Sequence, residues 1–321
     1  MAQPSESFKQ FDYALRPSKQ VERKAMIEVL LNLAKPGYAI SEYRYIGFGS
    51  VYYVDFIMFH KYLFIKKMVC VEWGDIEKRM RFNKPYKFVQ LKLMSLSSYI
   101  PHIRPKDRVL AWLDYDRALD LEMIQDIDGM CSRIAPKSVF AITVDARPKL
   151  PKDLFDTDKL TVDQREELTF KTYNRWFAEY LPGQIPREMV SRAEVAALFY
   201  EIIVDRIKRT LGSRGLQFIQ LFNYYYRDGA PMLTVGGLVG IQSDVVALQA
   251  AGVLQHKYVR SGKESLTISV PPLTLREKHW LDARLYGKVK ISDLRFELQE
   301  ELLQNYCTFY KEYPTYLESF L

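Results

Sequence analysis

Tyr43-Arg44-Tyr45-Ile46-Gly47-Phe48-Gly49-Ser50 reads as a short buried strand that runs into a glycine turn. The next segment, Val51 to Ile65, reads as a helix. A turn of this kind brings backbone N–H groups close to a ligand, because glycine has no Cβ to hold the ligand away. Gly-x-Gly pairs also occur in ordinary tight turns, so the reading depends on the elements downstream.

Beyond the turn, strands and helices alternate. Lys67 to Glu72 is a second strand, in which Met68-Val69-Cys70-Val71 ends at an acid. Asp75 to Asn83 is polar and helical, stopped before Pro85, and Phe88 to Leu93 alternates like a third strand. Asp107 to Leu113 is a fourth strand that ends at Asp114-Tyr115-Asp116. Leu119 to Ile134 is an amphipathic helix, and Lys137 to Val144 gives a fifth strand, with the run Val139 to Val144, that ends at Asp145. This alternation favours parallel βαβ units and a sheet covered on both faces. Upstream, residues 1–17 form a polar arm with one aromatic patch, Phe8-Phe11-Tyr13. A helix is expected from an N-cap at Ser18 to Pro36-Gly37, with Val21, Met26, Ile27, Val29, Leu30, Leu31 and Leu33 on its apolar side.

Pro148 to Pro186 is charged and broken by proline, with one helical piece, Val162 to Tyr180; it reads as an insertion or lid. Ser191 to Leu211 is a strong helix. Gly215 to Tyr226 is a long strand, Asp228-Gly229 a hairpin turn, and Met232 to Ile241 the return strand. From Ser243 to Leu321 the chain is mainly helical, with a small hairpin expected over Tyr258 to Val270 around Ser261-Gly262. Helices are expected over Leu273 to Leu285 and Ile291 to Tyr310. The tail is either a plain helical cap or a winged-helix-like module. The expected fold is thus α/β: a Rossmann-like, mostly parallel seven-stranded sheet with helices on both faces over residues 1–242, then a mainly helical extension over 243–321.

With 321 residues and 48% hydrophobic content the chain has ample material for a core. Met1 to Lys24 has no apolar signal region, and no apolar run reaches the roughly 20 residues that span a bilayer. Cys70, Cys131 and Cys307 lie far apart, and His60, His102, His256 and His279 lack metal-ligand spacing. A reducing, cytoplasmic setting is expected. The net charge of +7 permits an anionic partner such as nucleic acid without requiring one. The 22 tyrosines can stack on bases or fill a core. No Gly-x-Ser-x-Gly elbow and no Gly-Lys-Ser/Thr phosphate loop occurs.

The layout over Ser18 to Ile241 resembles the class I S-adenosylmethionine-dependent methyltransferases. The Tyr45-to-Ser50 turn and the segment Trp112-Leu113-Asp114-Tyr115-Asp116 resemble, more narrowly, bacterial proteins described as putative O-methyltransferases. The resemblance implies that Gly47, Phe48, Gly49 and Ser50 wrap the cofactor's methionine part. The usual third glycine is absent, since Val51 and Tyr52 come next. A nicotinamide dinucleotide fits poorly for the same reason. Glu72, at the end of the second strand, falls where the family holds the ribose hydroxyls; a carboxylate accepts two hydroxyl protons in a fork. Trp73 could pack on adenine or belong to the core. Ser95 falls where the family contacts adenine.

Asp114, Tyr115 and Asp116 are the expected catalytic residues at the sheet's carboxyl edge, where open α/β sheets bind ligands. Asp114 would also touch the cofactor. The Pro-Pro of the DNA amino-methyltransferases is missing after Asp114, so an amino-nitrogen acceptor is not supported. As alternatives, Asp114, Asp116 and Asp145 could hold Mg²⁺, or these acids could cap helices or pair with Arg117 or Arg147. The competing functional class is a catalytically degenerate, methyltransferase-shaped subunit that binds nucleic acid or protein in a larger assembly, a defence-related one included. Tyr224-Tyr225-Tyr226 cannot form one stacking platform, because alternate strand residues face opposite ways. A further reading is a different α/β nucleotide-binding enzyme that works through Asp114, Asp116 and a metal.

Overall fold

The apolar runs read from the sequence become parallel strands β1 (Arg44–Gly47), β2 (Lys67–Glu72), β3 (Val89–Leu93), β4 (Val109–Ala118) and β5 (Val139–Asp145). The structure, a computed structural model, describes residues 16–314 except 75, 151–158, 181–183, 192–193 and 286–288. The expected Phe8-Phe11-Tyr13 patch lies outside the described residues. Strand β5 is buried at every position, as a strand covered by helices on both sides must be.

Strands β6 (Gln217–Asp228) and β7 (Ala230–Gly240) form the expected antiparallel hairpin. Gly229 turns it at φ +93°, which glycine adopts without a Cβ clash. Among the described residues the sheet has the order β3-β2-β1-β4-β5-β7-β6-β8. The eighth strand, β8 (Leu266–Ile268), pairs in parallel with Tyr224, Tyr225 and Tyr226 of β6. The count is therefore eight, not the seven expected. The hairpin expected around Ser261-Gly262 is replaced by this one strand. The physical reason lies in β6. Gln220 Nε2 donates to the carbonyls of Arg260 and Gly262 (2.9 and 2.8 Å), and Asn223 Nδ2 donates to those of Gly262 and Lys263 (3.1 and 2.9 Å). Backbone that is already bonded to β6 side chains needs no hairpin partner.

Alternation along the strands divides the core into two layers. On one face, residues such as Tyr45, Cys70, Leu110 and Trp112 meet α1 (Pro17–Asn32), α2 (Val54–Leu63), α3 (Glu77–Asn83) and α8 (Gln242–Ala250). On the other, Ile46, Val71, Leu113 and Ile142 meet α4 (Leu96–Tyr99), α5 (Leu121–Arg133), α6 (Val162–Phe177) and α7 (Val195–Gly212). Helix α6, inside the Pro148–Pro186 segment, packs Tyr173, Trp176 and Phe177 into that second layer. In the tail, α9 (Leu275–Asp282) and α10 (Glu300–Phe309) share a small cluster of Leu281, Leu303 and Tyr306.

Helix α1 does not start as expected. Pro17 takes its first position, a place that proline suits because its missing N–H is not needed there. Ser18 lies inside the helix, and the cap comes from far away. Asp228, at the β6–β7 turn, accepts from the N–H groups of Ser18 (3.1 Å) and Lys19 (2.8 Å). A carboxylate there satisfies open donors and faces the positive helix end. Among the described residues no helix is long and apolar enough to cross a membrane.

Candidate functional site

All five parallel strands carry their carboxyl ends to one edge of the sheet. Between β1 and α2 the chain turns there through residues 48–53. Ser50 (φ +42°) and Tyr53 (φ +50°) are left-handed, a conformation that costs a residue with a Cβ about 1 kcal/mol or more and needs support from its surroundings. The turn aims the N–H groups of Gly49 and Ser50 at the end of β2. Both donate to Glu72 Oε1, at 2.9 and 2.8 Å. Burial pushes the Glu72 carboxyl above its ordinary range, the two N–H bonds pull it back in part, and the charge of Asp116 adds to the rise.

The glycines themselves are small for an internal reason. A Cβ on Gly47 would land on the Tyr45 hydroxyl. A Cβ on Gly49 would lie 2.5 Å from Cys70 Sγ and 3.1 Å from the Tyr53 ring. The room left by the missing side chains is thus taken by Tyr45, Cys70 and Tyr53. The turn presents its N–H pair at the sheet edge, held by Glu72. Phe48 packs edge-on against Tyr115 at 5.0 Å, and Trp73 is 48% exposed beside Glu72.

Across β1, the pairing of β4 with β5 slips between Asp114 and Ala118. Such a bulge re-aims the side chains next to it. Asp114 Oδ1 accepts from Lys19 Nζ of α1 at 2.6 Å. Lys19 is buried, lies 2.8 Å from Glu22 Oε2 and stands 4.3 Å over the Trp112 ring. Glu22 accepts from Thr234 Oγ1, whose hydroxyl lies 2.7 Å from that of Thr143; Thr143 in turn accepts from Trp112 Nε1 at 2.9 Å. Burial raises the Glu22 carboxyl, and Asp114 raises it further against the pull of Lys19. One turn along α1, Arg23 Nε donates to Asp55 of α2 at 2.5 Å. The Tyr45 hydroxyl is raised well above its ordinary range by burial and then by Asp55 and Asp114.

Residues 11–321 match the model of a protein family described as "Putative O-methyltransferase". The chain belongs to this family. Among solved structures it is similar to Trm1 from Pyrococcus horikoshii with S-adenosyl-L-methionine (10% identity, TM-score 0.44, 70% of this chain and 56% of that one). It is also similar to M. jannaschii TYW2 in complex with AdoMet (11%, 0.36, 67% and 76%) and to the N-methyltransferase NodS from Bradyrhizobium japonicum WM9 (11%, 0.34, 68% and 97%). The chain spans little more than half the length of Trm1. At such identities and scores nothing about substrate or mechanism passes from these proteins to this one. No curated protein matches the chain.

Of the other residues expected at the family's site, several have structural duties. The Tyr115 hydroxyl donates to Asp126 of α5 at 2.5 Å and is raised well above its ordinary range, by burial first and then by Asp126. Ser95 caps α4 by accepting from Ser98 N–H (3.2 Å), with the Ser97 and Ser98 hydroxyls 2.9 and 2.8 Å away. Asp145 is buried and gripped in a fork by Arg147, at 2.6–3.1 Å. It pairs with Ala118, beyond the bulge. Among the described residues no three His, Cys, Asp or Glu side chains are grouped as a metal would need, and Asp114, Asp116 and Asp145 do not form such a group. Arg117 pairs with Asp120 and Glu122 at the start of α5.

Lys19, Glu22 and Arg23 are not among the residues that the sequence pattern singled out. Their signal is nonetheless present. Positions 19, 22, 23 and 26 share one helix face, and charges inside an otherwise apolar stripe predict buried partners.

Proposed function

We propose that this protein transfers the methyl group of S-adenosylmethionine to an oxygen acceptor at the carboxyl edge of β1, β2 and β4. The observation that carries the reading is the Glu72 carboxylate, held by the Gly49 and Ser50 N–H groups at the end of β2. The groups present fit an adenosyl group: a carboxylate, fixed by the Gly49 and Ser50 N–H groups, to accept from ribose hydroxyls, and the exposed Trp73 ring for the adenine face. S-adenosylmethionine supplies an electrophilic methyl on a positively charged sulfur, so the leaving group needs little help. The chain adds position, exclusion of water and a place for the acceptor's proton.

Asp114 is the group proposed to take or orient that proton. Its carboxylate is held by Lys19, which is itself held by Glu22, so the acid has one fixed orientation at the edge. An acid without the two following prolines, in a family described as O-methyltransferases, supports an oxygen acceptor over an amino nitrogen. Asp116, near Glu72, adds negative charge to the side where the sulfonium would sit.

Titration calorimetry with S-adenosylmethionine tests the cofactor reading. Glu72→Gln keeps an acceptor for the two N–H groups but removes the charge. Its binding is expected to weaken about 10- to 100-fold. Unchanged affinity would sink the assignment. Gly47→Val is a poor probe, because its side chain would displace Tyr45 and disturb the core.

A further inference from the structure

The chain's positive charge is not spread evenly. Residues 57–92 hold nine Lys and Arg against three Asp and Glu, a balance of +6 out of +7 for the whole protein. In the structure this stretch is one shoulder of the molecule: α2, the start of β2, α3 and the edge strand β3. The parts touch. Tyr53 at the start of α2 donates its hydroxyl to the Met80 carbonyl of α3, and His60 of α2 packs on Tyr86 (4.4 Å) and Phe88 (4.9 Å). Met68 pairs with Val89, and Lys66 and Lys87 come just before these two strands in the chain.

The same shoulder exposes aromatic rings. Phe82 is 89% exposed on α3, Phe64 is 69% exposed after α2, and Trp73 stands at the end nearest Glu72. Phe64 is held outward at the left-handed C-cap of α2 (φ +58°), where burial of a large ring is not the reason for its place. Lys66, Lys78 and Lys87 of the same stretch are exposed as well. Exposed cations and exposed rings on one shoulder suit a chain with anions along its backbone and flat bases at its side. An acidic peptide would use the charges and leave the rings in water.

We infer that the α2–α3 shoulder binds single-stranded nucleic acid, with phosphates on Lys66, Lys78 and Lys87 and bases stacked on Phe64 and Phe82, leading toward the Glu72 edge. The inference names the class of the methyl acceptor and so rests on the cofactor reading above. The geometry is continuous: α2 and α3 both start at the carboxyl edge and run down the same face, and α2 alone is about 15 Å long.

The test is fluorescence anisotropy with labelled oligo-dT and oligo-U of about 15 nucleotides, a duplex of equal length, and polyglutamate. Single strands are expected to bind, with affinity that falls steeply as salt rises. Phe82→Ala is expected to weaken that binding about 5- to 100-fold. Lys66→Glu with Lys87→Glu is expected to weaken it and flatten the salt dependence. All three substitutions are expected to leave calorimetric S-adenosylmethionine binding unchanged, which also reports that the variants are folded. Absence of single-strand binding at low salt overturns the inference. So does single-strand binding that both variants leave intact, or duplex or polyglutamate bound as tightly with Phe82→Ala silent. If wild type binds oligonucleotide but not S-adenosylmethionine, the cofactor reading alone has failed.

Discussion

Two carboxylates stand at the same sheet edge and are held in opposite ways. Glu72 is held by backbone: two N–H groups of a turn 22 and 23 residues earlier in the chain. Asp114 is held by a side chain, Lys19, which is 95 residues away and arrives on a different helix. A backbone clamp survives most substitutions of the residues that form it, because every residue but proline has an N–H. A buried ion pair does not survive loss of one partner, because the other charge is then left without compensation.

The sharpest break of this contrast is Lys19→Met. It leaves Glu22 and Asp114 close together with no cation between them. Unfolding in urea is expected to show a loss of about 3–5 kcal/mol, and Lys19→Met combined with Glu22→Gln is expected to recover part of it. A loss below about 1 kcal/mol, the worth of an exposed pair, would mean that the β4 edge does not depend on α1.

Glu72→Gln should show the reverse pattern: little change in stability beside the expected loss of about 10- to 100-fold in cofactor affinity. The pH dependence is signed. Burial raises the Glu72 carboxyl from 4.5, so acidification should neutralise it, and weaken cofactor binding, at a higher pH than an ordinary glutamate would. Calorimetry across acidic pH should find that arm in wild type and not in Glu72→Gln.

Gly49→Ala tests whether the turn is tight from within. The added methyl would meet Cys70 Sγ at 2.5 Å, so a loss of about 1–3 kcal/mol is expected in thermal or urea unfolding. Cys70→Ala in the same chain should restore part of it. No rescue would mean that Tyr53 or the backbone, not the thiol, sets the limit.

The smallest effect is expected at the far end of α1. The Glu28 carboxyl is pushed up to about 7, by burial first and then by Glu312 near α10. An acid raised in the folded state favours folding below its unfolded value of 4.5, and this contribution is lost as pH rises through about 7. The melting temperature should therefore fall between about pH 4.5 and about pH 7, and Glu28→Gln should flatten that fall. His256, 3.7 Å from Glu28, has its pKa lowered, mainly by burial.

Much of the sheet is legible in the chain. Met68-Val69-Cys70-Val71, the run Val139 to Val144 and Asp228-Gly229 are local signals, and each marks an element that forms at that place. The pattern around Asp114-Tyr115-Asp116 puts that segment beyond a strand, yet β4 continues through it to Ala118. A bulge depends on the neighbouring strand, and a single strand's pattern does not show it. The hairpin expected around Ser261-Gly262 fails for a like reason, since the side chains that take up its carbonyls, Gln220 and Asn223, lie about 40 residues away.

The order of residues by itself determined the α/β alternation, the acids that end β2 and β5, and the concentration of positive charge over residues 57–92. These arise from apolar period, turn chemistry and composition, which act over a few residues. Only the tertiary structure decided that Glu72 closes the Gly49–Ser50 N–H pair, that Asp145 is held by Arg147, and that Lys19 and Glu22 sit beneath Asp114. Those outcomes depend on which distant group fills the space next to a buried charge, and a charge taken out of water stays where a partner of opposite sign meets it.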